Sequence, residues 1–142
     1  MADTESKTAN QIVIDAKNAT LGRLCSFAAK QSLLGKSVII VNCSLAVITG
    51  RRRAIIEKYL ASRSRVGSSQ KGPKVSKEPF KIVKRAVRGM LSHRQGRGEA
   101  ALDRVICYNN IPEEYASSRK VISGKDKANV DVISLKDLSK EL

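Results

Sequence analysis

The sequence predicts an α/β domain with a largely parallel sheet, and two observations lead to this prediction. Strand-like apolar runs alternate along the chain with segments of helical period, which is typical of helices packed on a parallel sheet. The chain has 142 residues, of which 42% are hydrophobic. This is enough for one domain of ordinary size to bury a core.

The first half of the chain contributes two strands and a helix to this prediction. Residues 12–16 form a first strand, and residues 37–42 form a second, whose continuous β-branched run suits a sheet covered on both faces. Residues 20–34 form a helix that Gly35 ends. Its broad apolar side consists of Leu21, Leu24, Phe27, Ala28 and Leu34. Residues 45–50 form a turn or a second short strand.

The second half adds helices, one strand and a long loop. Helices are predicted at 51–62 and 80–91, a strand at 105–109 and a short helix at 134–142. Ser134 and Asp137 make a capping-box pattern at the start of that last helix. Residues 63–79 are rich in Gly, Ser, Pro and Lys and predict a basic loop, whose length is typical of functional or disordered segments. The apolar side of helix 51–62 is made by Ile55, Ile56, Tyr59 and Leu60.

The charge balance points to an anionic partner. Lys and Arg number 27 and Asp and Glu 13, for a formal net charge of +14. Residues 51–104 alone hold 16 of those cations and four of the acids. Nucleic acid is the first candidate partner and an anionic membrane surface the second.

Residues 80–98 concentrate this charge, with six cations and no acid. On a helix of about 100° per residue, one arc of residues 80–91 carries only cations: Lys81, Lys84, Arg85 and Arg88. A separate flank, for packing on the sheet, consists of Phe80, Val83, Val87, Met90 and Leu91. The alternative to a phosphate-binding face is an ordinary solvated helix surface.

Three consecutive arginines, Arg51, Arg52 and Arg53, open the preceding helix. The positive end of the helix dipole makes this an unfavourable place for cations. Phosphates at the helix N-terminus would supply the missing negative charge. The alternative is that the three side chains simply extend into water.

The aromatic residues restrict the kind of nucleic acid. The chain has only five of them, two of which, Tyr59 and Phe80, are assigned to the core. It therefore lacks the stacking platform that single-strand binders use, and a folded RNA or duplex DNA fits better than an extended strand.

The residues give little support for an enzyme, a metal site or a nucleotide site. His93 is the only histidine and has no carboxylate near it in sequence, so it is equally a phosphate or sugar contact or a plain loop residue. The segment LLGKS (33–37) lacks the first glycine of a P-loop, and GRGEAA (96–101) lies after a helix rather than after a strand. We therefore expect no catalytic residues, no cofactor and no small-molecule substrate.

Cysteine usage and hydropathy complete the exclusions. Cys25, Cys43 and Cys107 are odd in number and widely spaced, which predicts buried fillers rather than a disulfide framework or a zinc site. No apolar run approaches the length of a membrane span, and residues 1–11 read as a flexible polar N-terminus without a signal segment. We expect a cytoplasmic protein without a membrane partner.

Three blocks of sequence resemble a known family. They are VIDAKNATLGRLCSFAAKQSLLGKSVIIVN (13–42), ITGRRRAIIEKYL (48–60) and RAVRGMLSHRQGRGEAALDRVICYNNIPEEY (85–115). Together they resemble the universal large-subunit ribosomal protein family thirteen, in its archaeal and eukaryotic-type branch, over residues 12–142. The most specific feature is RGML followed by His93, then RG and AL-x-R. Ser44 and Ser92 depart from the family, where an acid and a proline are common.

The resemblance implies a single three-layer α/β/α domain at 12–142, with the basic loop 63–79 and a C-terminal tail at 120–142. It also implies a structural, non-catalytic role in the large ribosomal subunit and in its assembly. Large-subunit ribosomal RNA and neighbouring large-subunit proteins are the implied partners. The arginine cluster, the loop and the segment 88–97 are implied to face RNA, which adds these residues to the cations of the helix: Arg51, Arg52, Arg53, Arg63, Arg65, Lys71, Lys74, Lys77, His93, Arg94 and Arg97.

Overall fold

A computed structural model describes residues 10–65, 67, 69, 72, 74–124 and 130–142. These described residues form two sheets, five α-helices and two short 3₁₀ helices. The strands are β1 Gln11–Asp15, β2 Ser37–Val41, β3 Val47–Thr49, β4 Val105–Cys107, β5 Lys120–Ile122 and β6 Val132–Ser134. The α-helices are α1 Leu21–Leu33, α2 Arg52–Ser64, α3 Pro79–Gly89, α4 Gly96–Asp103 and α5 Leu135–Glu141. The 3₁₀ helices are Cys43–Leu45 and Glu113–Tyr115.

The main sheet has four parallel strands in the order β4-β2-β1-β5. Its two central strands pair in register, with Ile14 opposite Ile40. A separate antiparallel pair joins β3 to β6. The α/β class, the mainly parallel sheet and the C-terminal helix predicted from the sequence are therefore confirmed.

Strand β2 is covered on both faces, as its apolar run predicts. Val38 and Ile40 are fully buried in the main core, which the helices form on one face of the sheet. Ile39 and Val41 point to the opposite face, where they pack with Val13 beneath Tyr108 and Tyr115. The two tyrosine rings lie 6.1 Å apart between their centroids, and Tyr115 ends the second 3₁₀ helix.

Several helix ends follow local chemistry. Gly35 follows Leu34, the C-cap residue of α1, with a φ of 90°, and donates its N–H to the carbonyl of Ser32, which confirms it as the stop. Ser134 Oγ accepts a hydrogen bond from the Asp137 N–H at 3.1 Å, so Ser134 caps α5 as predicted, and its hydroxyl donates to Asp137 Oδ2 at 2.8 Å.

The structure also corrects the sequence analysis in places. Helix α2 continues to Ser64, so that Arg63 lies in its last turn, and helix α4 together with strands β5 and β6 was not predicted. Met90 is 44% exposed, because α3 ends at Gly89 and the chain turns there instead of continuing the apolar flank. Of the flexible N-terminus expected at 1–11, residues 1–9 lie outside the described residues, and Gln11 already belongs to β1.

Candidate nucleic-acid interface

Helix α3 separates its apolar and cationic residues onto two faces. Ile82, Val83 and Val87 are buried in the main core. Lys81, Arg85 and Arg88 are exposed, whereas Lys84 is half-buried. Among the described residues, no ion pair involves a cation of α3. The face predicted from the helical phase is thus present, with Lys84 at its half-buried edge, and no described acid forms an ion pair with it.

The start of α3 is anchored by a side chain from beyond β4. Asn109 Oδ1 accepts a hydrogen bond from the Phe80 N–H at 3.0 Å, which satisfies one of the free donors of the first turn. Lys81 Nζ lies 5.7 Å from the centroid of the Phe80 ring. The carbonyl oxygen of Asn109 in turn accepts a hydrogen bond from the Ser44 hydroxyl at 3.0 Å. Ser44, which stands where an acid is common, therefore has a hydrogen-bond partner within the protein. These contacts fix the phase of the cationic face relative to the sheet.

The arginine cluster is partly neutralised within the protein. Arg52 Nη2 lies 2.7 Å from Glu141 Oε1, and Arg53 Nε lies 2.9 Å from Glu57 Oε1 one turn later. Arg51 occupies the N-cap position of α2, with no capping bond from its side chain, and is exposed. Both ion pairs are solvent-exposed and therefore weak. Sequence reasoning missed Glu141, which is 89 residues away from Arg52.

The turn after α3 carries His93 and Arg94 and is held by an unusually close backbone approach. A Cβ atom at Gly98 would overlap the carbonyl oxygen of Ser92. Gly98 is buried in the first turn of α4, and Gln95 donates its N–H to the same Ser92 carbonyl at 2.9 Å. The glycine therefore sets where this turn lies. Its role follows from a close approach in space that no pattern in GRGEAA reveals.

The side chains of this segment take different environments. Arg94 and Arg97 are exposed, and His93 is half-buried, with Nδ1 3.3 Å from the carbonyl oxygen of Arg88. A protonated Nδ1 would donate to this carbonyl and leave Nε2 free as an acceptor or donor toward a ligand.

The cations of the basic loop are described only in part. Arg65, Lys74 and Lys77 are exposed, and Lys71 lies outside the described residues. Arg63 is half-buried, and its Nη1 is enclosed without a hydrogen-bond partner. Three of these predicted contacts therefore lie on the surface, whereas the Arg63 side chain is partly buried.

A groove runs between α2 and α3, and it was not predicted from the sequence. It has a volume of about 250 Å³, and we call it the α2–α3 groove. It is lined by Lys58, Tyr59, Ser62, Val75, Ile82, Arg85 and Ala86. Burial raises the pKa of Tyr59, and the Arg85 guanidinium opposes this effect. The phenol therefore stays neutral at physiological pH.

The three cysteines come close together in the fold although they are distant in sequence. Cys25 and Cys43 are fully buried, as predicted, while Cys107 is only half-buried; all three are free. Burial raises the pKa of Cys25 from 9.0 to about 12, with a contribution from Cys107. A hydrogen bond to the Cys107 side chain, together with burial, raises the pKa of Cys43 well above its usual range. These two thiols are therefore poor nucleophiles and poor metal ligands.

Metal clusters and membrane-spanning helices are two other features that bear on function. Within the described part of the chain, no three His, Cys, Asp or Glu side chains are placed to hold a metal ion. Among the same residues, no helix has the length and apolar character needed to cross a bilayer.

A family model for ribosomal protein L13 matches residues 9–114. The chain belongs to the ribosomal protein L13 family. The match covers three of the four strands of the main sheet, β1, β2 and β4, together with helices α1 to α4 and the turn at His93. It thereby confirms the family indicated by the three sequence blocks.

Archaeal relatives extend the similarity over most of the chain. Each of the following is named large ribosomal subunit protein uL13. The protein of Thermoplasma volcanium is 43% identical over 132 residues, covering 92% of this chain and 96% of its own length. That of Thermoplasma acidophilum is 41% identical over 133 residues, with the same coverage. That of Natronomonas pharaonis is 39% identical over 131 residues, covering 92% of this chain and 90% of its own.

Proposed function

We propose that this L13-family chain is a non-catalytic structural constituent of the large ribosomal subunit. In this proposal it binds large-subunit ribosomal RNA through its basic face, takes part in subunit assembly and resides in the cytoplasm within that subunit. Residues 12–142 act as one RNA-binding domain, and neighbouring large-subunit proteins are further partners. The name shared by its relatives supports the ribosomal role.

The observation that supports RNA binding most directly is the exposed face of α3. Lys81, Arg85 and Arg88 project from a helix whose other face is buried in the core, and no described acid pairs with them. Three unpaired cations on a rigid helix repel one another and gain by meeting phosphates, which release condensed counterions when they are neutralised.

The remaining contacts extend this surface. The proposed RNA-binding set combines the α3 cations with Arg51, Arg52, Arg53, Arg63, Arg65, Lys71, Lys74, Lys77, His93, Arg94 and Arg97. Arginines match phosphate oxygens with two parallel N–H donors, whereas lysines act as point charges. The mixture favours recognition of an RNA shape through its backbone.

A competition experiment tests this proposal against general compaction of DNA. Labelled large-subunit ribosomal RNA is bound to the full chain and challenged with unlabelled ribosomal RNA or with random-sequence duplex DNA of equal length. We expect DNA to compete about a thousandfold less well or worse at physiological salt, as for specific complexes generally. Equal competition by DNA would support the compaction alternative. Sedimentation of cell extract checks the location, since the protein should travel with the large subunit.

A further inference from the structure

We infer that the α2–α3 groove holds one unpaired nucleotide of the bound RNA, with its base against the apolar lining and the Arg85 guanidinium, and its phosphate near Lys58. This inference rests on the proposed binding of ribosomal RNA and names a feature of that RNA. It goes beyond a backbone-only interface, which is what the scarcity of aromatic residues suggested.

The lining of the groove fits a base better than a phosphate alone. Its apolar lining consists of Val75, Ile82, Ala86 and the Tyr59 ring, and among the described lining residues the charged groups are Lys58 and Arg85. A phosphate against these apolar side chains would lose its hydration and find no hydrogen-bond donors there to replace the water. A nucleobase has two apolar faces and a polar edge, so it covers the apolar lining and still meets the polar groups.

The two cations differ in a way that suits the two parts of a nucleotide. The planar guanidinium of Arg85 stacks on an aromatic base, whereas the ammonium of Lys58 acts as a point charge for a phosphate. Neither residue forms an ion pair with any described acid. Both are therefore available to a ligand.

Polar groups in the groove can meet the edge of a base. The Ser62 hydroxyl donates to the carbonyl of Lys58 at 2.9 Å, which leaves its oxygen lone pairs free to accept an N–H. The neutral phenol of Tyr59 supplies both a donor and an acceptor. One base can thus be bound without leaving a buried polar group unsatisfied.

The size of the groove limits the ligand to one nucleotide. Its volume of about 250 Å³ is below the range of about 300–1,000 Å³ found for pockets that take drug-sized ligands. The nucleotide must be unpaired, because a base within an A-form helix is stacked on both faces. A bulge or loop in the RNA provides such a base.

Two substitutions should weaken binding of a base in the groove, in different ways and without changing the net charge. Ala86→Phe places a ring in the groove, and Arg85→Lys keeps the cation but removes the flat group that stacks. The matched control is Ala61→Phe, which adds the same ring to an exposed position of α2 outside the groove. Thermal midpoints show whether each variant is folded, and Arg85→Lys, at an exposed site, carries the test if Ala86→Phe unfolds.

The readouts are affinity for large-subunit ribosomal RNA and dimethyl sulfate probing of its unpaired bases in the complex. We expect both groove variants to bind about tenfold more weakly, as when one stacked base is lost. Their salt dependence should equal that of the wild type, because the number of cations is unchanged. A base protected by the wild type and by Ala61→Phe should become reactive with Ala86→Phe.

The outcomes separate this inference from the proposed function. If the wild type fails to bind the RNA, both the proposed RNA binding and the groove inference are contradicted. If it binds, but both groove variants match it in affinity and protect the same bases, only the groove inference is overturned.

Discussion

Gly98 and Ser92 approach so closely that a single methyl group between them is not accommodated. A Cβ atom at position 98 would overlap the Ser92 carbonyl oxygen and lie 3.1 Å from the His93 nitrogen. The obstacle is backbone, which cannot swing aside as a flexible side chain can. The position of the turn that carries His93 and Arg94 therefore depends on this glycine.

Substituting Gly98 with Ala should destabilise the protein by about 1–3 kcal/mol, as overpacking does, and should also weaken RNA binding. Chemical denaturation and RNA titration measure the two effects. Gly96→Ala is the matched control, since a Cβ there meets nothing within 4 Å and the residue lies in the same helix. Equal stability of the two variants would show that the turn moves freely.

Changing Lys81, Arg85 and Arg88 together to Gln should leave the fold intact and weaken RNA binding. Each cation that no longer neutralises a phosphate removes a counterion-release contribution of about 0.7–0.9 from the slope of log affinity against log salt, so the slope should fall by about 2–3. Affinities at four salt concentrations measure this slope.

The control for that variant replaces three exposed lysines outside the basic region, Lys17, Lys136 and Lys140, with Gln. Both triple variants lose the same net charge. If their salt slopes change equally, the cationic face of α3 is not a specific phosphate contact.

Truncating a side chain at the centre of the main core should lower the free energy of unfolding far more than truncating one on the edge strand. Ile40 is fully buried in β2, so Ile40→Ala should destabilise by about 2–5 kcal/mol through the cavity it leaves. Ile122, in edge strand β5, is 58% exposed, and Ile122→Ala should change the free energy of unfolding by only about 0.5 kcal/mol. Urea titration compares the two, and similar losses would contradict the assigned burial.

Burial of the Cys25 thiol should make the free energy of unfolding decrease at alkaline pH. Its pKa is raised from 9.0 to about 12 on folding, so the unfolded chain releases the thiol proton first. The contribution of this thiol is complete below about pH 9 and is lost as the pH rises toward 12. The stability advantage of the wild type over Cys25→Ala should therefore shrink between about pH 8 and 11.

Urea titrations of both proteins at about pH 8, 9.5 and 11 measure this gap, and titrating groups that do not interact with Cys25 cancel in the difference. A gap that stays constant or widens would mean that the Cys25 thiol is not desolvated. At about pH 8, iodoacetamide should modify Cys107 in preference to the two fully buried thiols.

Local patterns in the sequence were sufficient for much of the fold. The β-branched run of β2, the two faces of α3 and the Ser134 cap each depend on neighbours within a few residues, and all three were predicted. Helix α4 was missed because it begins with Gly-Arg-Gly and has no apolar period. Strands β5 and β6 have three residues each, which is too short for a pattern of alternation.

The candidate interface likewise has some features that local sequence predicts and others that depend on tertiary packing. Its charge, and the placement of Lys81, Arg85 and Arg88 on one helical face, were determined by the sequence alone, because helix geometry converts spacing into direction. Only the tertiary structure decided that Arg52 meets Glu141, that Gly98 touches Ser92 and that α2 and α3 enclose a groove. Each of these depends on how separate elements pack, and packing brings together residues whose separation along the chain carries no periodic signal.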